Sequence, residues 1–474
     1  MPVDQAVIAI LPRSGPEGSQ PEVSPLTGLL GLTLVHRVIL GASQAGVKDF
    51  LLIGPSGKDP EKIADFLRKD TRVIARSLRI SAVRVPETGK PGDGSGVRGR
   101  FWLIPADTVF DPDLLARAAE ADPGGAVNLH LVDPAPPTGP ETAETIRVKA
   151  GRPGQEGLTF AQVPAEGSPV YAAVSLCGED IFPRLGALFG EIGRGRPEAD
   201  VLNQVFGAAP ARTFDTAGRF CFRVLSKAAL KKARRSLLAT ARKPTDSFIS
   251  RNFNRRVSLF LTQPLIRMGI KPNPLSVACL AIGMASCWFI AQGGYIHSVL
   301  GAFLFEFASI FDGCDGEVAR LTYRTSKFGG FVDMVGDAVI FVLFFACLPV
   351  GLYRNSGRPV WLVLGVLALL SMGIFYLQLT TFMKKKNLGN YVVGVVKDIE
   401  QSAGRPGFSG RLDRAAAKVA FIYRRDFFST GAFIIIALGG AGGLMWVLGV
   451  LIPLEPVYMH FFSRRRLRPN PDGA

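Results

Sequence analysis

The chain has 474 residues, and 55 Lys and Arg against 39 Asp and Glu give a formal net charge of +16. Apolar residues make up 48% of the chain, too many for a disordered protein. Residues 1–200 carry 21 basic and 25 acidic side chains, whereas residues 201–474 carry 34 and 14 and also hold the long apolar runs. A single soluble domain is therefore excluded. Basic charge beside apolar spans indicates a membrane protein that faces anionic headgroups, with no nucleic-acid partner.

The first 225 residues alternate between short apolar runs and segments with helical spacing. In chain order, the predicted strands and helices are Ala6–Leu11, Leu34–Ala45, Phe50–Ile53, Phe101–Ile104 and Pro112–Ala121. This alternation is typical of an α/β domain with a mostly parallel sheet. The N-terminus has no basic region followed by a long apolar stretch, so we expect no signal peptide and a cytosolic location for residues 1–240.

Basic and then apolar segments follow this first part. Residues 226–272 are predicted to form a basic linker with a surface-lying helix, residues 273–465 a six-helix transmembrane domain, and residues 466–474 a basic cytosolic tail. The predicted spans are roughly Leu275–Ala291, Tyr295–Phe311, Gly330–Gly351, Val360–Phe382, Phe427–Leu438 and Gly443–Phe462. The first, second and fifth are shorter than the ~20 residues of a full span, which indicates helices of uneven length around a cavity.

The basic residues between these spans lie almost entirely on one side. The loops at residues 312–328 and 383–426 and the tail from residue 463 contain 17 Lys and Arg, whereas the opposite loops contain only Arg354 and Arg358. By the positive-inside rule, both termini are predicted to be cytosolic.

Four aspartates lie within 26 residues around the second and third spans: Asp312, Asp315, Asp333 and Asp337. An acidic side chain inside a membrane is unfavourable in free energy, and such residues usually have a function. The first two are three residues apart and the last two four apart, so each pair lies on one face of a helix. The short turn between the helices makes them antiparallel neighbours, and the four carboxylates can converge. They would repel each other unless cations neutralise them, and oxygen ligands in this number favour two Mg²⁺ or Mn²⁺ ions.

Salt bridges within the helices, or an ion-conducting path, account less well for these acids. Intrahelical salt bridges would explain two of them, but only Arg320 lies close in sequence. A proton- or cation-conducting path would spread its acids along the bilayer depth. Room for a phosphate is left by three glycines nearby, Gly316, Gly329 and Gly330. Arg320, which lies one turn beyond Asp315, can contact a phosphate at the same site.

The pattern D-x2-D-G-x2-A-R-x8-G-x3-D-x3-D resembles the signature of the CDP-alcohol phosphotransferases. It is matched without a departure at Asp312, Asp315, Gly316, Ala319, Arg320, Gly329, Asp333 and Asp337. The resemblance extends over about residues 247–465 and implies six helices with an active site that faces the cytosol. It also implies a CDP-alcohol donor, an alcohol acceptor, surrounding membrane lipids and a homodimer.

This resemblance implies a role for each matched position. The four aspartates would hold two divalent ions that grip the diphosphate of the donor. Asp337 would also act as general base for the incoming hydroxyl, which attacks the phosphorus distal to cytidine and expels CMP. The nucleotide contacts would be Asp315, Gly316, Ala319, Arg320, Ser326 and Gly329, with Asn273 and Ser276 from the segment KPNPLS. That segment could equally be an ordinary Pro-containing turn that caps the first span.

The amino-terminal part resembles a second kind of enzyme. LTLVHRVILGASQAGVKDFLLIG resembles a helix–strand unit of sugar nucleotidyltransferases, and FWLIPADTVFDPDLL their strand that ends in a metal-binding aspartate, here Asp107. The segment between the two parts, RKPTDSFISRNFNRRVS, is similar to a linker and amphipathic helix at the membrane surface. An α/β part joined through such a segment to a membrane part resembles the archaeal inositol-phosphate cytidylyltransferase/di-inositol-phosphate-phosphate synthase fusion.

The catalytic features of that amino-terminal part are eroded. The loop LPRSGPEGSQPEVSPLTG keeps Arg13 but has no Lys, and the later metal-binding aspartate falls at Arg223. An Arg there would disable metal-dependent cytidylyl transfer. We therefore expect a degenerate, Rossmann-like nucleotidyltransferase domain at residues 1–225. Asp107 could simply cap the helix ahead of Pro112.

Three functions fit these patterns. The leading hypothesis is an integral-membrane CDP-alcohol phosphotransferase that uses CDP-diacylglycerol or a CDP-polyol, with inositol or inositol phosphate as the acceptor that the fusion implies. The second is a bifunctional enzyme that also makes the CDP-polyol from CTP. The third is a non-enzymatic, metal-gated transporter.

The fourth span ends in three lysines, Lys384, Lys385 and Lys386. They either contact a phosphorylated substrate or anchor the span on the cytosolic side. The sequence leaves the identity of the acceptor open.

Overall fold

The computed structural model describes most of the chain and divides it into two compact units, Met1–Thr240 and Ala241–Ala474. The described residues are 3–11, 23–55, 60–85, 97–121, 128–133, 146–150, 158–161, 169–194, 196–207, 209–242, 250–325, 327–386 and 425–467. Arg13, Ser326 and most of the Gly- and Pro-rich loops lie outside them. The side chains of Lys384, Lys385 and Lys386 do so as well.

The N-terminal unit is built on a nine-stranded sheet. Its strands are β1 Gln5–Ala9, β4 Asp49–Pro55, β5 Arg79–Val85, β6 Phe101–Pro105, β8 Asn128–Asp133, β9 Arg147–Ala150, β10 Leu158–Ala161, β11 Val170–Cys177 and β12 Ala211–Asp215. The order is β10-β9-β11-β6-β1-β4-β5, with β8 paired to β11 and β12 to β8. Two short pairs lie apart from the sheet: β2 Gly28–Leu29 with β3 Leu32–Thr33, and β7 Thr108–Phe110 with β13 Cys221–Arg223.

This sheet is mixed, whereas the sequence predicts a mostly parallel one. β1 pairs in parallel with β4 and β6, as the alternation of strands and helices predicts. β11, however, runs antiparallel to both β6 and β8, and β9 runs antiparallel to β10. Parallel neighbours need a long crossover, usually a helix. Within the described residues, no helix separates β8, β9, β10 and β11, and antiparallel pairing follows.

Helices cover this sheet and complete the core of the unit. They are α1 Leu34–Gln44, α2 Pro60–Arg68, α3 Thr71–Ala75, α4 Pro112–Ala121, α5 Leu185–Gly193, α6 Glu198–Phe206 and α7 Lys227–Thr240, with a 3-10 turn at Glu179–Arg184. The predicted helix Pro112–Ala121 is confirmed. The basic helix α7, assigned to the linker by sequence, lies within the N-terminal unit. Its apolar Ala233 and Leu237 are buried while its lysines are exposed.

The C-terminal unit is entirely helical in its described residues. After a π-helical turn at Ser250–Asn254, its helices are α8 Arg255–Arg267, α9 Pro272–Gln292, α10 Tyr295–Leu321, α11 Lys327–Ser356, α12 Val360–Lys386, α13 Arg425–Ala437 and α14 Ala441–Leu467. Five of these, α9 to α12 and α14, contain stretches of 21 to 27 residues that are long and apolar enough to cross a membrane. The unit is therefore an integral membrane domain.

These helices α9 to α14 correspond in order to the six predicted spans. The first two are longer than predicted, because α10 continues through the acidic motif to Leu321 and α9 begins at Pro272. The fifth, α13, has 13 residues and remains below the length of a full span.

Glycines allow α9 to lie close to its neighbours. A Cβ at Gly301 of α10 would come within 2.8 Å of the Ser286 carbonyl oxygen, and one at Gly283 within 2.4 Å of Ile340 Cδ1. Small residues at helix contacts are typical of membrane proteins, where van der Waals packing holds helices together. This packing brings the motif-bearing ends of α10 and α11 beside the start of α9.

Candidate active site

Three of the four predicted aspartates converge in the C-terminal unit. Asp312 lies on α10, and Asp333 and Asp337 lie one turn apart on α11. One carboxylate oxygen of each lies within 4.8 Å of the others, and all three side chains are half-buried. Three carboxylates at this separation form a strongly negative site that a cation would neutralise.

The fourth aspartate, Asp315, lies outside this group of three. It is 7% exposed, and its carboxylate accepts a short hydrogen bond from the Ser276 hydroxyl near the start of α9. Ser276, predicted near the nucleotide, therefore contacts the motif directly. Asn273, one turn earlier on α9, is exposed to solvent.

Gly316, Ala319 and Arg320 of the motif lie on α10. A Cβ at Gly316 would come within 3.2 Å of Arg320 Nη1, so the absence of a side chain there leaves room for the guanidinium. Arg320 Nη2 donates a 2.8 Å hydrogen bond to the Ala241 carbonyl. Ala319 on α10 and Gly329 on α11 are half-buried. Ser326 lies outside the described residues.

The structure adds three residues that sequence reasoning missed. The Cys279 thiol on α9 lies 4.0 Å from Asp312 Oδ1. Glu306 and Glu317 are both buried on α10, 6% and 0% exposed. Acidic residues are rare inside apolar spans and usually have a specific partner. The positions of Glu306 and Glu317 within such a segment could therefore have identified both residues from the sequence.

In the N-terminal unit, Asp107 contacts a cation supplied by the chain itself. Arg223 on β13 donates from Nε to Asp107 Oδ1 at 2.9 Å and from Nη2 to Oδ2 at 3.0 Å. Its Nη1 donates to Glu198 Oε2 at 2.6 Å. Burial by itself disfavours the charged guanidinium, but the charges of Asp107 and Glu198 raise the pKa of Arg223 above its ordinary value. The carboxylate of Asp107 is thus held in a buried, bidentate ion pair.

A family model described as CDP-alcohol phosphatidyltransferase matches residues 270–423 of this chain. The matched range begins just before α9 and contains all four aspartates. The family signature therefore coincides with the carboxylate cluster.

Among the relatives that align over most of the chain are two proteins with the same name. A protein of Thermococcus kodakarensis named "Bifunctional IPC transferase and DIPP synthase" is 27% identical over 357 residues, 73% of this chain and 75% of that protein. A protein of the same name from Aquifex aeolicus is 26% identical over 380 residues, 76% of this chain and 79% of that protein. Alignments of this length extend into both units, because the C-terminal unit spans only residues 241–474.

A solved structure, the inositol-1-phosphate CTP transferase from T. maritima, is similar to part of the chain. The similarity covers 50% of this chain and 95% of that one, at 13% sequence identity and a TM-score of 0.36.

Proposed function

Because the C-terminal unit carries the CDP-alcohol phosphotransferase domain of an integral membrane enzyme, we propose that Asp312, Asp333 and Asp337 form its divalent-cation site. The observation that carries this proposal is the convergence of their carboxylates within 4.8 Å on two helices. Enzymes of this family generally use divalent metals, and the acidic cluster is where this chain offers ligands for one.

The donor set fits a hard cation. It consists of carboxylate oxygens, which Mg²⁺ and Mn²⁺ prefer. Ligands at about 2.1 Å from one ion lie at most about 4.2 Å apart, so small side-chain movements would bring the three oxygens into reach. Asp315, three residues along α10 from Asp312, supplies a fourth carboxylate, and four carboxylates suit two ions.

The chemistry follows from the arrangement of charge. When bound, the divalent ions neutralise the diphosphate of the CDP-alcohol and the departing CMP. Asp337 accepts the proton of the acceptor hydroxyl while that oxygen bonds to the phosphorus distal to cytidine. The bond from this phosphorus to the CMP oxygen breaks, and CMP leaves with the electron pair. The products are the phosphodiester and CMP.

We further propose the nucleotide contacts from the motif. Gly316 leaves room on α10 for the guanidinium of Arg320, and this guanidinium supplies a cation for phosphate. Ser276 is within hydrogen-bonding reach of Asp315 and can exchange this partner for the ligand. The remaining proposed contacts are Asp315, Ala319, Ser326, Gly329 and Asn273.

The proposed acceptor is inositol or a phosphorylated inositol, and the proposed donor is a CDP-polyol or CDP-diacylglycerol. Two of the relatives that align over most of the chain are named bifunctional IPC transferase and DIPP synthase. Together with the resemblance to the inositol-phosphate cytidylyltransferase/di-inositol-phosphate-phosphate synthase fusion, these names support an inositol-type substrate. Purified protein with Mg²⁺ should release CMP from one donor–acceptor pair among CDP-inositol or CDP-diacylglycerol with inositol or inositol phosphate. CMP release from none of these pairs would contradict the proposal. Ion flux through liposomes without CMP release would favour the transporter alternative.

For the N-terminal unit we propose a structural or regulatory role without cytidylyl transfer. The bidentate pair between Arg223 and Asp107 supports this role, because it uses the carboxylate that a metal would need. The extension of both relatives into this unit favours the bifunctional alternative. Full-length Asp337→Asn protein, in which the second reaction is blocked, should release no pyrophosphate from CTP and inositol phosphate. Pyrophosphate release would establish the bifunctional enzyme.

Orientation and assembly are also proposed. The 17 basic residues in one set of loops and the tail support cytosolic termini and a cytosolic active site. A membrane-impermeant thiol reagent should label a cysteine introduced near residue 470 only after cells are opened.

The proposed homodimer is supported by the family resemblance. The mass of the detergent-solubilised protein tests it.

A further inference from the structure

Helix α10 carries acids on two opposite faces. Successive residues of a helix are about 100° apart, so Glu317, two residues after Asp315, lies about 200° around the axis from it. Glu317 shares its face with Gly313 and Glu306, whereas Asp312 and Asp315 lie on the face towards α9 and α11. The second acidic face is therefore turned away from the proposed metal site.

Helix α8 supplies three donors to Glu317. Ser258 Oγ donates to Glu317 Oε1 at 2.6 Å, Thr262 Oγ1 donates to Oε2 at 2.7 Å, and Arg255 Nη1 donates to Oε1 at 3.1 Å. Glu317 is 0% exposed. A fully buried carboxylate is costly unless it is paired and hydrogen-bonded. The side chain is thus stable only while α8 and α10 keep this alignment.

Close backbone approach strengthens the same contact. A Cβ at Gly313 would lie 2.9 Å from Arg255 Nη1 and 3.3 Å from Ser258 Cβ, and the Cys314 thiol donates to the Ser258 carbonyl at 3.5 Å. The opposite face of α8 is exposed and carries Arg256, Phe260, Pro264 and Arg267. The buried face of α8 therefore packs against the face of α10 that carries Glu317.

We infer that Glu317 is a positioning residue for the metal-binding aspartates and that Ser258, Thr262 and Arg255 set the rotation of α10 through it. This inference rests on the proposed function of the aspartate cluster. A rotation of α10 by about 10° would move a carboxylate roughly 5 Å from the axis by about 1 Å. A functional site tolerates only about 0.5 Å. The Glu317 network opposes that rotation.

The test compares two pairs of hydroxyl deletions, one on α8 and one on α13, whose hydroxyls donate to glutamates on the same face of α10. Ser258→Ala/Thr262→Val removes two donors to Glu317. The control, Ser429→Ala/Thr430→Val, removes the two hydroxyls that donate to Glu306 at 2.6 and 3.0 Å. Mn²⁺ binding to the purified full-length protein is measured by electron paramagnetic resonance, together with the melting temperature.

The first pair should weaken Mn²⁺ binding by about 10-fold or more, as loss of outer-shell partners does at other metal sites. The control pair should lower the melting temperature but leave Mn²⁺ affinity unchanged, and Ser258→Thr/Thr262→Ser should restore wild-type affinity. Wild-type affinity in the first pair, or equal weakening in the control, would overturn the inference. If the first pair folds poorly, single Thr262→Val decides by the same criterion. Failure of the wild-type chain to bind Mn²⁺ would instead overturn the proposed metal site.

Discussion

At the residue scale, the acidic side chains of the C-terminal unit differ in how deeply they are buried and in which groups surround them. Asp312, Asp333 and Asp337 are half-buried and close together. Glu317 is fully buried, and donors from α8 satisfy both of its oxygens. Carboxylates at short separation repel each other, and a cation between them relieves this repulsion. The hydrogen-bond donors around Glu317 compensate its charge instead. The environment thus separates the proposed ligands from the anchoring acids.

Asp337→Asn should lower the rate of CMP release by at least about 100-fold, the contribution typical of a general base. The amide keeps the shape of the side chain but cannot accept the proton. Initial rates of CMP formation, with the melting temperature measured in parallel, check this result. Glu455→Gln on α14 is the matched control and should keep wild-type turnover. Asp337→Asn protein with undiminished activity would remove this residue from the mechanism.

Arg223→Met should destabilise the N-terminal unit by about 3–5 kcal/mol, because it leaves the Asp107 and Glu198 carboxylates without their buried cation. Hydrogen exchange of the full-length protein, followed on peptides from residues 97–121 and 211–225, measures the loss. A second substitution, Asp107→Asn, should recover part of it. Unchanged exchange in Arg223→Met would show that the ion pair contributes little to stability.

At the element scale, a short helix is held by polar contacts that a longer span would not need. α13 has 13 residues, and its Ser429 and Thr430 hydroxyls donate to Glu306 of α10. Phe428 of α13 also contacts Phe344 and Phe345 of α11. Association between membrane helices depends on packing and interhelical hydrogen bonds. Both kinds of contact compensate for the small apolar surface of α13.

Close approach of α9 and α11 gives a prediction at the same scale. A Cβ at Gly351 would lie 2.0 Å from the Ile290 carbonyl oxygen, whereas one at Gly373 of α12 meets nothing within 4 Å. Gly351→Ala should therefore cost about 1–3 kcal/mol through overpacking and lower the melting temperature in detergent. Gly373→Ala should melt like the wild type. Equal melting temperatures for the two variants would contradict the close contact.

At the scale of the whole molecule, acid should weaken the N-terminal unit through two buried histidines. Burial lowers the pKa of His130 to about 3. Burial also lowers the pKa of His36 to about 4, against the opposing charge of Asp70. Both values lie below the 6.5 of an unperturbed histidine, so the folded unit disfavours the protonated rings. The contribution of the two neutral histidines to the free energy of unfolding is therefore fully present above pH 6.5 and is lost as the pH falls towards 3.

The free energy of unfolding should thus fall by up to about 1.4 kcal/mol per pH unit for each histidine. Pulse proteolysis in urea, following fragments of the N-terminal unit at several pH values between 7 and 4, measures this slope. His130→Asn should reduce the slope, whatever its stability at pH 7. A slope equal to that of the wild type would show that His130 is not the titrating group.

Much of this organisation can be predicted from the sequence, because local periodicity records which residues face water, lipid or the core. The division into an α/β part and a membrane part, the order of the six apolar helices and the aspartate spacing all follow from such patterns. The spacing of Asp312, Asp315, Asp333 and Asp337 predicts that all four carboxylates converge, since two short helical intervals and a tight turn leave few alternatives. The structure brings three of them together and leaves Asp315 outside the group.

Contacts between distant segments depend on the tertiary structure alone. Arg223 meets Asp107 across 116 residues, and Glu317 meets Thr262 across 55. The antiparallel pairing of β11 and the support of α13 by Glu306 are of the same kind. The periodicity of a segment states that a face is buried but not which partner covers it. That partner is set by how elements far apart in the chain pack together, and so is the difference between the half-buried Asp312 and the fully buried Glu317 on the same helix.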